Sequence, residues 1–176
     1  MRKIRNDELG RKTVDEFKSA LKRPLVLVLD DIRSLNNIGS ILRTADAFLC
    51  EAVYLCGITA CPPHREIHKT ALGAEDSVES KYFEDVTVAL RELKKNGYVL
   101  AAIEQAEGGV SLAQFKPSPA EKYAYVLGHE MNGVSEKALA LCDLAIEIPQ
   151  EGTKHSINVA VCTGIVVWDF VLKSTG

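Results

Sequence analysis

No stretch of the 176-residue chain stays apolar long enough to span a bilayer, and Arg2, Lys3 and Arg5 are not followed by the apolar run of a secretory signal. A membrane or exported protein is therefore not expected. Paired cysteines are also missing. The five, at 50, 56, 61, 142 and 162, are odd in number and no two form C-x-x-C. That disfavours a disulfide scaffold or a four-cysteine zinc site, and reduced thiols in a cytoplasmic setting are the simpler expectation. The familiar cofactor loops are absent or broken. No G-x-G-x-x-G follows Leu29, and residues 128–135 run G-x-x-x-x-G-V-S, with Val134 where a P-loop needs its lysine. His129-Glu130 begins like a zinc-protease motif, but Gly133 stands in place of the second histidine. Cys61, His64 and His68 have no evident fourth ligand and match no common zinc spacing, so no metal is expected.

An excess of one charge is lacking too: the net charge is −3, which by itself argues mildly against nucleic acid. The distribution is uneven, however. Residues 1–23 carry eight Lys/Arg against four acids, a net +4 that leaves −7 on the rest. This basic leader, expected to be helical, is either a solvated mixed-charge helix or an arm that meets phosphates.

What is present is an ordinary globular composition, 47% hydrophobic and 26% charged, in a length that fits one domain. Residues 25–29, LVLVL, predict a buried parallel strand. A cap-rich turn at 34–37 precedes apolar residues at helical spacing (Ile38, Ile41, Leu42, Ala45, Phe48), with Asn37 suited to the cap. Further strands are expected at 52–56, 80–83, 98–103, 123–127 and 144–148, and helices at 86–95 and 135–141. Residues 156–172 are apolar almost all round and predict a largely buried helix, with Ser156 as a possible cap and Asn158 inside it. This alternation predicts an α/β fold, a mostly parallel sheet with helices on both faces, whose ligand site lies beyond the carboxyl ends of the strands. Three turns there carry unusual polar residues: 30–43, 128–135 and 149–158.

Taken together, NNIGSILRTADAF (36–48), YVLGHEMNGVS (125–135) and IEIPQEGTKHSINVAVCTGIV (146–166) resemble the three motifs of the SpoU/TrmH-type RNA 2′-O-ribose methyltransferases of the SPOUT class, in the same order and spacing. The resemblance covers about residues 24–172, leaving the leader outside. It implies a knotted methyltransferase domain over 24–176 with a C-terminal trefoil knot, and a homodimer whose active site draws on both chains. It implies S-adenosylmethionine as methyl donor and an RNA ribose 2′-hydroxyl as acceptor; the small size, without the separate RNA-binding domain that many family members carry, leans towards tRNA over ribosomal RNA. The family's catalytic residues fall on Asn37, Arg43, Glu130, Ser156 and Asn158, and all five types match. Cofactor contacts are implied for Ile103, Glu104, Leu127, Gly128, Ile148, Ser156 and Ile157, and RNA contacts for Arg43, Arg65, Lys69, Lys154 and His155. His129 and Gln150 depart from the residues frequent in the family, which bears on the RNA subfamily. The family mechanism assigns Arg43 as base. A guanidinium stays protonated in nearly all proteins, so phosphate binding and stabilisation of the developing alkoxide suit it better. Two alternatives stay open: a catalytically silent RNA-binding member, and a small-ligand-binding protein of the flavodoxin type.

Overall fold

Strand β1 (Arg23–Asp30) carries the LVLVL run into the middle of a sheet, where its last six residues are buried from both sides. Such a run is stable only with both faces covered, each fully buried Leu or Val contributing about 1.5–3 kcal/mol. The structure, a computed structural model, describes residues 1–174. In chain order the further elements are α1 (Val14–Ser19, preceding β1), α2 (Leu35–Ala47), β2 (Cys50–Cys56), α3 (Arg65–Ala71), α4 (Ala74–Ser77) and β3 (Ser80–Phe83). They continue with α5 (Val86–Lys95), β4 (Tyr98–Ile103), β5 (Val110–Ser111), β6 (Lys122–Leu127), α6 (Glu136–Leu139), β7 (Leu144–Glu147) and α7 (Val159–Ser174). The sheet order is β3-β2-β1-β6-β4-β7-β5, and every recorded strand pair is parallel. One face packs Ile38, Ile41 and Leu42 of α2 with Ile67 of α3 and Val166, Val167 and Phe170 of α7. The opposite face packs Val86, Leu90 and Leu93 of α5 with Ala138 of α6.

Several boundaries differ from the sequence expectation, each for a local reason. The cap of α2 is Ser34, whose Oγ accepts the Asn37 N–H; Asn37 is already inside the helix, and its side chain is released for long-range bonds. The last helix begins at Val159, and exposed Asn158, not Ser156, caps it by accepting the N–H groups of Ala160 and Val161. That helix is covered on one side only: Val161, Ile165, Trp168 and Leu172 are exposed. Helices α3 and α4 were not expected from the sequence. The leader is helical only over Val14–Ser19, after a short 3-10 turn at Asn6–Glu8, and buried Phe17 joins it to the core. Among the described residues no helix is long and apolar enough to cross a membrane, and no cluster of His, Cys, Asp or Glu could hold a metal.

The chain runs β1, β2, β3 towards one edge, then crosses to build β4, β7 and β5 beyond β6. This reversal opens a crevice at the carboxyl ends, the place where α/β sheets hold ligands.

Candidate active site

Glu130, in the turn after β6, reaches across to the turn after β1. Its carboxylate accepts the N–H of Arg33 at 3.1 Å, the N–H of Ser34 at 2.9 Å and Asn37 Nδ2 at 3.0 Å. Burial alone would raise the Glu130 carboxyl, but these donors outweigh it and hold it below the usual carboxylate range. Asn37 Oδ1 in turn accepts from Asn158 Nδ2 at 3.2 Å. Both ends of this relay are fixed. A carboxylate only accepts, so Asn37 must turn its NH₂ towards it; helix N–H groups only donate, so Asn158 must give them its oxygen. The three polar turns singled out in the sequence are thereby fastened to one another through Glu130, Asn37 and Asn158.

The second turn is held from two more strands. Glu104, just after β4, accepts the Val134 N–H through Oε2 and the Gln105 N–H through Oε1, both at 2.9 Å. Asp30, buried at the end of β1, accepts the Ser135 N–H at 2.9 Å. Neither anchoring role was expected from the sequence; the available signal for Asp30 was a charged residue closing a buried strand. Gly128 is required by contact, since a Cβ there would overlap the Gly133–Val134 peptide. Gly133 has φ +68° and abuts the Glu104 carboxylate.

These turns enclose a cavity of about 670 Å³. Its walls include all seven residues for which cofactor contacts were implied: Ile103, Glu104, Leu127, Gly128, Ile148, Ser156 and Ile157. Glu130, His155 and Asn158 line it as well, as do Gln150, noted in the sequence only as a departure from the family, and Gln105 and Cys162, for which no site role was expected. Burial, and then the nearby Glu104, push the Cys162 thiol up to about 11, which keeps it protonated and unreactive at neutral pH. Ser156 is exposed at the rim.

Arg43 is not part of that cavity. It lines a separate cleft of about 390 Å³ with Lys69 and neighbouring hydroxyls, and its guanidinium makes no hydrogen bond or ion pair among the described residues. Arg65 is exposed at the start of α3, Lys154 is exposed in the third turn, and the His155 carbonyl accepts from Gln105 Nε2 at 3.4 Å. Lys69 pairs with Glu66 at 2.7 Å.

The sequence model of the SpoU rRNA Methylase family matches residues 24–168. A 23S rRNA (guanosine-2′-O-)-methyltransferase RlmB of Nitrosomonas europaea is 34% identical over 89% of this chain and 60% of its own length. The chain thus spans about three fifths of that relative. A solved structure of a putative RNA methyltransferase of the TrmH family from Porphyromonas gingivalis is 28% identical, with a TM-score of 0.76 over 85% of this chain and 60% of that one. Another, described as giving structural insights into the 2-OH methylation of C/U34 on tRNA, is 25% identical, with a TM-score of 0.75 over 88% of this chain and 99% of that one.

Proposed function

The chain belongs to the SpoU rRNA Methylase family, and on that premise we propose that it transfers a methyl group from S-adenosylmethionine to a ribose 2′-hydroxyl in RNA. One observation carries the proposal. The relay of Glu130, Asn37 and Asn158 binds three distant turns around a cavity whose size suits a small-molecule cofactor.

The residues present fit that cofactor. Leu127, Ile148 and Ile157 offer an apolar slot for the adenine, and the close packing at Gly128 leaves main-chain groups of the turn to meet its polar edge. When bound, the cofactor supplies an electrophilic methyl group on a sulfonium. The protein's part is positioning and charge. Glu130 and Asn37 keep the β1–α2 turn fixed, Asn158 ties the third turn to it, and Ser156 presents its hydroxyl at the rim. Arg43 grips the phosphate beside the target ribose and stabilises the developing alkoxide, and the hydroxyl proton passes to phosphate or water. Arg43→Lys keeps the charge but loses the fork. We expect a rate loss of about tenfold or more, with cofactor affinity retained; full rate in this variant would remove the fork from the mechanism.

Arg43 stands outside the cavity of its own chain, which supports a site composed across a homodimer. The uncovered side of α7 supplies an apolar surface for the second copy. The same reading includes a C-terminal trefoil knot, supported by family membership, and RNA contacts from the leader, Arg65, Lys69, Lys154 and His155. As the finer substrate we take tRNA, supported by the tRNA-directed structure that this chain matches over 99% of its length. The relative named for 23S rRNA supports the rival assignment.

Labelled S-adenosylmethionine, incubated with separated tRNA and rRNA fractions, tests both levels. The expected product is a 2′-O-methylnucleotide in tRNA. Label in rRNA alone overturns the tRNA assignment, and bound cofactor with no label in any RNA leaves the silent-member reading in its place.

A further inference from the structure

The turn after β6 closes on itself. His129 and Gly133 exchange main-chain hydrogen bonds, at 3.0 Å from the His129 N–H and 2.8 Å from the Gly133 N–H. The ring of His129 is fixed as well, because its Nδ1 accepts the Met131 N–H at 3.0 Å. An accepting ring nitrogen carries no proton, so the neutral imidazole holds its hydrogen on Nε2 and presents a donor there. With Arg33 and Ser34 of the β1–α2 turn, these residues line a second, smaller cavity of about 340 Å³. His129, Glu130 and Met131 belong to both cavities and form the partition between them, whereas Arg33 and Ser34 line only the smaller one. The polar groups it offers are donors. The Arg33 guanidinium is exposed and makes no hydrogen bond or ion pair among the described residues. Ser34 Oγ accepts the Asn37 N–H, which leaves its own proton to give. The carboxylate in the wall, Glu130, is already taken up by three donors. Met131 adds an exposed apolar side chain.

We propose that this smaller cavity takes one nucleobase of the RNA substrate and selects guanine by its O6 and N7. The proposal rests on the RNA reading above and names the part of the substrate that is read. Single-stranded RNA is recognised through bases that are splayed out, stacked, and hydrogen-bonded along their edges. A cavity at the small end of ligand pockets suits a single base. Met131 supplies an apolar surface for its face, and Arg33 and His129 supply donors for its edge. Guanine presents two acceptors, O6 and N7, on the edge away from the sugar, and the guanidinium fork matches that pair. Adenine and cytosine put an amino group on the same edge, which finds no free side-chain acceptor in this wall, and uracil offers one acceptor in place of two. A base held against the partition that also bounds the cofactor cavity sets the strand beside the methyl donor.

The test measures binding of short labelled single strands of cytidine RNA, identical but for one central base, to the full chain. The demethylated cofactor is present, so no transfer occurs. Central guanosine and central inosine both carry O6 and N7. They are expected to bind about fivefold tighter than 7-deazaguanosine, which lacks N7, or adenosine, which has an amino group in place of O6. Arg33→Lys keeps the charge, loses the fork and leaves the main-chain bond to Glu130 in place. It is expected to erase the preference while the salt dependence of binding stays the same. His129→Phe keeps a ring and loses the donor, and it is expected to narrow the preference without weakening the adenosine strand. Cofactor affinity, read by calorimetry, is expected to be retained in Arg33→Lys, which alters only the smaller cavity. The pocket is overturned if RNA binds and the central base makes no difference, or if both variants keep the preference. It is also overturned if guanosine outbinds inosine, which would place the reading on the amino group, or if Arg33→Lys loses the cofactor instead. Binding of no strand at all overturns the pocket and the RNA reading together. Absence of methyl transfer with the base preference intact counts against the proposed function alone.

Discussion

At the scale of the residue, the site depends on which way each polar group faces. Glu130 has three donors and, among the described residues, no competing cation in contact, so its charge is held by main-chain and amide N–H groups. Glu130→Gln keeps the shape but presents an NH₂ where one of those donors points, so one exposed or part-buried hydrogen bond is lost at a cost of about 0.5–1.5 kcal/mol. The sign with pH follows from the lowered carboxyl. Its contribution is fully present above the unfolded value near 4.5 and is lost as pH falls through the lower folded value. Thermal unfolding of wild type and variant should therefore differ by a constant amount from pH 7 down to about 5, and the gap should shrink below 4. A gap that closes between pH 6 and 7 would assign the effect to another group. Residue types at this site were legible in the sequence: Asn37, Glu130 and Asn158 stood out as polar groups in strand-end turns. Their bonds were not, because a hydrogen bond between positions 37 and 158 depends on the strand order, which local pattern does not carry. Asn37 was expected as a cap for the same reason, since its neighbour Ser34 suits that role equally on local grounds and only the fold decides between them.

At the scale of the element, legibility followed burial. The strand at 98–103 and the helix at 86–95 agree with expectation to the residue, because each has a clean apolar pattern and the helix is closed by Asn96-Gly97, with Gly97 at φ +81°. Helices α3 and α4 lacked that signal. They are seven and four residues long, and between them bury little beyond Ile67, Ala71 and Ala74, too few positions to show a period. Their placement comes from contact with α2 rather than from their own sequence. Gly39→Ala tests this. The added methyl group meets the Ile67 carbonyl, which is main chain and cannot rotate away, so α3 must shift outward. Overpacking of this kind costs about 1–3 kcal/mol, which in a domain of this size lowers the melting temperature by roughly 2–12 °C. RNA affinity should fall with it, since Arg65 and Lys69 move with α3. Unchanged melting would show that the two helices are not in fixed contact.

At the scale of the whole molecule, net charge and hydrophobic fraction are averages that conceal two asymmetries. Charge is the first. The leader's net +4 already offsets Arg2 and Arg5, which pair with Glu8 and Asp7, so the charge it offers a polyanion lies on its other Lys and Arg residues. The second concerns α7, whose apolar girth suggested a buried helix. Val161, Ile165, Trp168 and Leu172 recur at intervals of four, three and four, so they form one stripe on the side turned away from α2 and the sheet. A single copy leaves that stripe in water at 55%, 38%, 49% and 57% exposure, too contiguous to count as scattered surface residues. Trp168 stands near its centre, its ring 5.6 Å from that of Phe48 at the end of α2, so the stripe adjoins the cleft that holds Arg43. Covering the stripe with a second copy would therefore also set the surroundings of Arg43, which links assembly to catalysis. Trp168→Glu places a charge in the middle of the stripe and outside the cofactor cavity, giving up only the ring contact with Phe48. Sedimentation at micromolar concentration should show wild type as a dimer and the variant as a monomer, with methyl transfer falling in parallel. A variant that remains dimeric would place the interface elsewhere, and a monomeric variant with full activity would show that one chain holds the complete site.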